Sequence, residues 1–407
     1  MRSYLWLILG LTTMLMIACD DGGMGDPNET DTGGDTGDTG DTGDTGNDED
    51  AGGELVEVIW SDQIGSKESD RASDIVFNNG EICVTGDAGG DIDGFNGNKG
   101  SSDILFSCWD SAGYLIHTSM LGTDKWDNGS SIVSDEFGNY YITGKTAGSL
   151  DEDEYINTGL GQYDAFLMKL QGGYPYPEWT KQWGTDGMDA VGALLIDSQG
   201  YVYVCGDMDE YQDQCFLIKF SSYEEEVWKK NWGGDPFCTC NSVAADSNHN
   251  LYATGSMSDS GVFLTKITAD GQISWLKKFG PTVGENAYKV KIDSNDKIFV
   301  VGSSGLTKFD TDGTPLWTAE NNGGDAIAFD DEGNIYVVGS NESFLTKVAG
   351  DGNEVWRWEW GTGYTHGNAI TIYSNDVYVA GTTMGSLPDN ESSGSYDVFI
   401  VKVRLLE

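Results

Sequence analysis

Short apolar segments recur along most of the chain, and each follows a polar turn. The turns read D-x-x-G-N or a close variant, and the segments after them end in glycine. Examples are FNNGEICVTG, which ends at Gly86, DSQGYVYVCG, which ends at Gly206, and DSNHNLYATG, which ends at Gly255. Asp, Asn and Gly supply the side-chain hydrogen bonds and the positive φ that tight hairpins need. The segments are apolar at successive positions, as in YVYV at 201–204, and therefore predict strands buried on both faces.

These strands belong to a longer repeat. Each is followed by a loop of variable length, a strand of the type DAFLMKL, a DG-type turn and a last strand that carries a tryptophan. The last strand has seven anchor positions: Trp60, His117, Trp179, Trp228, Trp275, Trp317 and Trp356. The final unit, DVFIVKVRLLE, lacks a fourth strand, whereas ELVEVIW at 54–60 supplies a fourth strand alone. Repeats of about 40–50 residues with several strands predict a propeller, and pairing of the two partial units would close it.

We therefore predict an all-β fold, a seven-bladed β-propeller of four-stranded antiparallel blades, closed by pairing of the N-terminal strand with the C-terminal strands. A lysine marks one register of the third strand in six units: Lys169, Lys219, Lys266, Lys308, Lys347 and Lys402. We expect each stem to pack between sheets while the ammonium group meets a nearby carboxylate or carbonyl. We expect the tryptophans to fill the outer gap between blades, and His117 to be a polar-tipped filler there rather than a ligand.

The N-terminus predicts export. The first nineteen residues, MRSYLWLILGLTTMLMIAC, contain an apolar stretch too short for a mature spanning helix. They resemble a bacterial lipoprotein signal, in which Met16, Ile17 and Ala18 precede Cys19 as the lipobox. The resemblance implies cleavage before Cys19 and lipidation of that residue. We expect a place in the bacterial cell envelope, at the outer membrane or cell surface; Asp20, directly after the cysteine, would favour inner-membrane retention in some bacteria, which is the alternative location. An ordinary secretory signal with an incidental cysteine is the alternative.

Residues 19–53 follow as a linker. They include DTGGDTGDTGDTGDTG at 31–46, whose low hydrophobicity and high charge predict a disordered, extended tether. The predicted domains are thus a signal peptide at 1–18, the lipidated cysteine with its acidic linker at 19–53, and the propeller at 54–407. With 67 acidic residues, 22 basic residues and a net charge of −45, the protein should repel phosphate backbones. We expect no nucleic-acid partner, and we expect a monomer.

The repeat resembles a known family. The pattern WG…D…GNxYxTG…DAFLxKL…G…W is similar to the bacterial seven-bladed β-propeller (SBBP) repeat across residues 54–407. The resemblance implies an extracytoplasmic propeller and transfers no catalytic residues. ADGQISW, TDGTPLW and GDGNEVW are also similar to the repeats of pyrroloquinoline-quinone propellers, whose enzymes carry a cofactor and calcium.

Loop lengths suggest where a ligand binds. The loops between second and third strands are longest at 87–102, 145–163 and 382–396, in blades one, two and seven, which closure makes neighbours. Binding residues concentrate on loops held by a rigid scaffold. The candidate binding residues are Asp91, Asp93, Phe95, Asn96, Asn98, Asp151, Asp153, Tyr155, Tyr163, Tyr211 and Tyr396. Oxygen ligands at Asp91, Asp93 and Asn96 could hold calcium; a solvated acidic loop is the alternative, and we expect no other cofactor.

Six cysteines remain after Cys19, and an envelope protein can form disulfides. They occur in local pairs, of which Cys83 and Cys108 form one. Cys205 and Cys215 flank a loop and are the favoured bridge. Cys238 and Cys240 either stay reduced or bridge to Cys205 or Cys215, and the sequence cannot decide among the connectivities.

These features favour a membrane-tethered, non-catalytic binding module for a protein or a glycan. One alternative is an enzyme, either quinoprotein-like or glycan-acting. Another is a periplasmic scaffold for envelope assembly. Fold alone does not separate them.

Overall fold

The computed structural model describes residues 56–92, 97–150, 162–172, 174, 176–208, 214–233, 238–257, 261–279, 286–303, 305–339, 343–360, 364–388 and 390–406. Residues 52–407 form one compact unit, separate from residues 1–51, and the fold below is that of this unit. Its regular structure, within the described residues, consists of 28 β-strands. No described helix is long and apolar enough to cross a membrane.

The strands form seven four-stranded sheets, here numbered as blades in chain order. Blade 1 contains β2 (Asp70–Asn78), β3 (Glu81–Ala88), β4 (Asp103–Asp110) and β5 (Leu115–Leu121). Blade 2 contains β6 (Asp127–Ser134), β7 (Tyr140–Thr146), β8 (Asp164–Leu170) and β9 (Pro177–Trp183). Blade 3 contains β10 (Ala190–Ile196), β11 (Val202–Met208), β12 (Gln214–Phe220) and β13 (Glu226–Gly233).

Blade 4 contains β14 (Cys238–Ala245), β15 (Leu251–Met257), β16 (Gly261–Ile267) and β17 (Ile273–Phe279). Blade 5 contains β18 (Ala287–Ile292), β19 (Ile298–Gly302), β20 (Gly305–Phe309) and β21 (Pro315–Ala319). Blade 6 contains β22 (Ala326–Phe329), β23 (Ile335–Gly339), β24 (Phe344–Val348) and β25 (Glu354–Glu359). Blade 7 contains β26 (Thr365–Tyr373), β27 (Asp376–Thr383), β28 (Asp397–Leu405) and β1 (Val56–Ile64).

Blade 7 closes the ring, as predicted. Its strand order is β1-β28-β27-β26, so the first strand of the chain pairs antiparallel with the last. The pairing runs from Val56 opposite Leu405 to Ile64 opposite Val398. The prediction of seven antiparallel four-stranded blades, closed by the two ends of the propeller sequence, is confirmed.

The first strand of each blade lies nearest the ring axis, because first strands contact the first strands of both neighbouring blades. The connections alternate between two faces of the ring. The turns between first and second strands and between third and fourth strands lie on one side, here called the turn face. The loops between second and third strands lie on the other side with the links between blades, and we call this side the loop face. Strand β1 begins, and β28 ends, on the turn face.

A repeated aromatic contact holds the outer parts of the blades together. In blade 3, the Tyr203 ring lies 6.0 Å from that of Trp228, and the tyrosine hydroxyl donates to Asp197 of the D-x-x-G turn at 2.9 Å. Trp228 also packs beneath Gly271 of the DG turn in blade 4, where a Cβ would approach the indole to 2.9 Å. Gly271 has a φ of +82°, which favours glycine. The D-x-x-G-N turn, the DG turn and the tryptophan are therefore coupled by packing.

The repeated lysines behave as predicted in four blades. Their ammonium groups pair with carboxylates at Lys169–Glu178 (2.9 Å), Lys266–Asp246 (3.8 Å), Lys308–Asp293 (4.0 Å) and Lys402–Asp376 (2.8 Å). In blade 3, Lys219 instead lies over the Tyr201 ring, 3.8 Å from its centroid. His117 is half-buried and meets Phe106 edge-on at 5.0 Å. Burial lowers the pKa of its imidazole, in keeping with a filler.

The cysteine pairing corrects the favoured prediction. Cys205 does not bridge to Cys215; the disulfides are Cys205–Cys240 and Cys215–Cys238, with Cα–Cα distances of 5.8 Å and 5.4 Å. Cys205 lies opposite Leu217 rather than Cys215, and both cysteines pack in the interface with blade 4. The two bridges therefore join blades 3 and 4, whereas Cys83–Cys108 lies within blade 1.

Candidate functional site

The described candidate residues lie at two junctions on the loop face. Asp91, Asn98 and Tyr396 belong to the junction of blades 7 and 1, whereas Tyr163 belongs to that of blades 2 and 3. The remaining candidates lie outside the described residues: Cys19, Asp93, Phe95, Asn96, Asp151, Asp153, Tyr155 and Tyr211. Of the proposed calcium ligands, only Asp91 is therefore described.

A cavity of about 650 Å³ opens at the junction of blades 7 and 1. Its walls come from the blade link after β1, the blade 1 loop and the blade 7 loop. The lining residues are Gln63, Ser66, Lys67, Glu68, Gly90, Asp91, Glu391, Ser392 and Ser393. These side chains are polar or charged, with three carboxylates and one ammonium group. The cavity is thus suited to a hydroxyl-rich ligand that is neutral or positively charged.

Asp91 shapes the wall of this cavity. Its Oδ1 accepts hydrogen bonds from the backbone N–H groups of Gly97 and Asn98, both at 3.0 Å. Asn98 in turn donates from Nδ2 to the carbonyl oxygen of Ala88, also at 3.0 Å. Both predicted residues therefore brace the blade 1 loop, and the second carboxylate oxygen of Asp91 has no partner among the described residues.

Gln63 braces the blade 7 loop. Its Nε2 donates to the carbonyl oxygen of Gly385 at 3.0 Å and to Oδ2 of Asp397 at 2.8 Å. Its Oε1 accepts from the backbone N–H of Leu387 at 3.0 Å. Blade 2 uses Gln182 in the same way toward Gly148, Asp164 and Leu150. Sequence reasoning missed both glutamines, although the shared triplet G-S-L in the two loops was a detectable signal.

The two described tyrosines are equivalent by position. Each precedes the third strand of its blade and bridges to the next blade link, Tyr396 to Ser69 and Tyr163 to Met188. Arg71 lies over the Tyr396 ring at 5.9 Å. Trp126 meets the Tyr163 ring edge-on at 5.3 Å. Neither ring is fully exposed, so both contribute at least partly to packing.

Three successive blade links each end in a buried aspartate that lies near a buried aspartate at the start of a third strand. The links read GSKESD at 65–70, GTDKWD at 122–127 and GTDGMD at 184–189. In the second, Asp127 accepts from the backbone and hydroxyl groups of Thr123 at 2.6 Å and 2.9 Å. Asp103 of the third strand packs against Gly122 beside it, and its buried Oδ1 has no hydrogen-bond partner in the described chain. Burial, reinforced by the charge of Asp127, raises the pKa of Asp103 to about 6.

The same arrangement recurs at the other two links. Asp164 packs against Gly184 and Asp397 against Gly65, and each has one buried carboxylate oxygen without a described hydrogen-bond partner. Burial raises the pKa of Asp164. Burial also raises the pKa of Asp70, with a contribution from the charge of Asp397. Burial thus raises the pKa of one carboxyl group at each of these three junctions.

Tyr364 is a further exposed residue that sequence reasoning did not single out. It is 68% exposed on the loop face, and its carbonyl oxygen accepts from the backbone N–H of Met384 at 3.0 Å. Gly385, the next residue, is held by Gln63 in the cavity wall. An exposed aromatic ring near a polar cavity can stack on a sugar.

Known structures share this architecture. The fold is similar to that of virginiamycin B lyase from Staphylococcus aureus, with a TM-score of 0.55 and 8% identity over 85% of this chain and 99% of that chain. A streptogramin B lyase matches with a TM-score of 0.54 and 11% identity, over 85% and 98% of the two chains. The likeness extends to the fold alone. A protein of unknown function from Bacteroides caccae matches at a TM-score of 0.42 and 10% identity, over 53% and 78%.

Comparisons of sequence add no relative. No protein-family model matches the chain, and no curated protein matches it.

Proposed function

We propose that the protein is a membrane-tethered, extracytoplasmic binding module that recognises a glycan in the cavity between blades 7 and 1. The observation that carries this proposal is the lining of that cavity. Serine, glutamine, carboxylate and ammonium groups converge there, and such groups bind sugar hydroxyls through multiple hydrogen bonds. A protein partner would require an apolar centre that this lining does not provide.

The charge of the cavity limits which kinds of glycan could bind. Glu68, Asp91 and Glu391 oppose the single ammonium group of Lys67, and the whole chain is strongly acidic. Anionic sugars would be repelled by this field. The ligand is therefore a neutral or amine-bearing glycan.

The N-terminal sequence supports the tethered part of this proposal. We propose that the chain is an SBBP-repeat lipoprotein, on the basis of its seven-bladed fold, its repeat pattern and the lipobox before Cys19. Replacing Cys19 with serine should move the protein from the detergent phase to the aqueous phase in a phase-partition assay.

Screening the full-length protein on an array of neutral, amino and acidic glycans tests the proposal. We expect binding to a neutral or amine-bearing glycan, and at least a tenfold loss of affinity for Glu391→Ala because an exposed cavity carboxylate is removed. Glu225→Ala, an equally exposed glutamate on the turn face, is the matched control. Binding that survives Glu391→Ala and Lys67→Ala together would exclude this cavity as the site.

A further inference from the structure

A charged bridge crosses the axis of the propeller. Lys289 lies on the first strand of blade 5, and its Nζ is 3.7 Å from Oδ1 of Asp74 on the first strand of blade 1. Blades 1 and 5 are not neighbours in the ring, so this ion pair forms only across the central channel. Ser131 of the neighbouring blade 2 donates a hydrogen bond from its hydroxyl to Oδ2 of Asp74 at 2.6 Å.

Lys289 departs from the pattern of its ring position. The second strand of each blade ends near a glycine. The residue directly before this glycine pairs with one residue of the first strand, as Thr85 before Gly86 pairs with Asp74. The equivalents of Asp74 and Lys289 are Ser131, Ala193, Ser242, Ala326 and Ala369. Ser131 and Ser242 use their hydroxyls to accept from the backbone of the next blade. Lys289, by contrast, contacts a residue on the opposite side of the ring axis, Asp74.

A second lysine follows on the same strand. Lys291 lies two residues after Lys289, on the same side of the strand, and nearer the turn face. The equivalent residues in the other blades are almost all apolar: Val76, Val133, Leu195, Ala244, Ala328 and Thr371. Lys291 therefore projects from an otherwise apolar level of the inner wall.

The ammonium group of Lys291 is unpaired. Over the residues that the structure describes, it makes no hydrogen bond and no ion pair. The Lys291 side chain is exposed to solvent, although protein atoms surround its ammonium group. This enclosure, together with the charge of Lys289, lowers its pKa, whereas the charge of Asp74 opposes that change.

We propose that Lys291 and Lys289 bind the carboxylate of a small amphipathic monocarboxylic acid, inserted into the central channel from the turn face. Two ammonium groups against the one carboxylate of Asp74 leave a single positive charge, which matches one anionic group. The apolar level around Lys291 accommodates the hydrocarbon part of the ligand and strengthens the ion pair by excluding water. In a protein with 67 acidic and 22 basic residues, dianionic ligands would meet a repulsive field. This site lies on the opposite side of the ring from the proposed glycan cavity and does not depend on it.

Calorimetric titration of the full-length protein with hexanoate tests the inference. Hexanamide has the same hydrocarbon chain without the charge, and acetate has the charge without the chain. We expect saturable binding of hexanoate, at least tenfold tighter than binding of either comparison compound. Lys291→Met keeps the length of the side chain and should weaken hexanoate binding at least tenfold.

Lys308→Met is the matched control, because Lys308 lies in the same blade but pairs with Asp293 away from the axis; it should bind hexanoate like the wild type. Isotope-labelled reductive methylation of the wild-type lysines provides a readout that needs no variant: hexanoate should raise the pKa of one dimethyl-lysine signal. The inference is overturned if hexanoate does not bind saturably, if Lys291→Met binds it unchanged, or if no lysine signal responds. Glycan binding by Lys291→Met should be unaltered, so the two proposals fail separately.

Discussion

Replacing Asp103 with asparagine should stabilise the propeller, and only above mildly acidic pH. Asp103 is fully buried and packs beside Asp127 against Gly122. Its Oδ2 accepts from the backbone N–H of Lys99 at 2.5 Å, whereas Oδ1 has no described hydrogen-bond partner. An asparagine would keep the acceptor for Lys99 and would offer an amide donor toward the Asp127 carboxylate.

The expected magnitude follows from the pKa of Asp103. Burial and the charge of Asp127 raise that pKa from 3.8 to about 6 in the folded protein. One unit corresponds to about 1.4 kcal/mol, so ionised Asp103 costs the folded state about 3 kcal/mol, as an order of magnitude. A raised folded-state pKa contributes stability below pH 3.8 that is lost as the pH rises through about 6. Asp103→Asn removes this loss, so its advantage should be near zero at about pH 4 and reach its plateau above about pH 6.

Urea denaturation followed by tryptophan fluorescence, at a series of pH values from about 4 to about 8, measures this profile. Asp186→Asn, which removes a charge from an exposed aspartate of the next blade link, is the control and should change the free energy of unfolding by less than about 0.5 kcal/mol. A gain that does not vary with pH would refute the reasoning. A loss of stability at about pH 8 would also refute it, because the buried oxygen would then have a favourable partner in the native protein.

Three further changes follow from named contacts. Gly271→Ala should destabilise the fold by about 2 kcal/mol, because φ is +82° and a Cβ would press on the Trp228 ring; Gly350→Ala, with nothing near its Cβ position, should have little effect in the same urea assay. Replacing Cys215 and Cys238 together with serine should cost about 3 kcal/mol, since their disulfide closes a loop of intermediate length. Calcium should raise the melting temperature and excess EDTA should reverse the rise, with Asp91→Asn abolishing both effects.

Each of these expectations has a contrary outcome. Equal stability of Gly271→Ala and Gly350→Ala would mean that the Trp228 ring moves aside without cost. An unfolding curve unchanged by the double cysteine replacement would mean that the Cys215–Cys238 bridge adds nothing to the packing and to the Cys205–Cys240 bridge between blades 3 and 4. A melting temperature that is unchanged by calcium and by EDTA would contradict calcium binding in the blade 1 loop.

The repeat contained enough information to predict the fold. Apolar strands after D-x-x-G-N turns, with a lysine in the third strand and a tryptophan in the fourth, describe one four-stranded unit. The packing of Trp228 against Tyr203 and Gly271 shows why these residues recur together. The incomplete units at the two ends predicted closure because a free sheet edge is unfavourable.

The disulfides could not be predicted in the same way. Cys205 and Cys215 are close in sequence and flank one hairpin, so local proximity favours their pairing. Strand register offsets them, however, and their side chains enter the interface with the next blade. The correct partners, Cys240 and Cys238, depend on how two sheets face one another, which sequence spacing does not report.

Site residues were predictable only where they lay on unusual loops. Loop length pointed to the loops of blades 7, 1 and 2, and Asp91 does line a cavity at the junction of blades 7 and 1. Lys289 and Lys291 were invisible to that reasoning, because AYKVKI reads as an ordinary strand with one polar face. Their proximity to a charged partner depends on closure of the ring, because Lys289 and Asp74 come from distant blades and meet only at the axis.

In a closed ring, equivalent positions experience nearly equivalent surroundings, so a residue that differs from its equivalents is subject to some additional constraint. At the level of Asp74 and Lys289, small residues satisfy the packing in five other blades, and a charge pair is not required for closure. Burying such a pair across the axis carries a desolvation cost that small apolar residues would avoid. The neighbouring Lys291 is exposed to solvent and makes no hydrogen bond or ion pair in the described chain. A partly buried charge pair beside an unpaired ammonium group on one inner strand is best explained by a ligand that binds both lysines, and removal of Lys291 should then abolish binding without unfolding the ring.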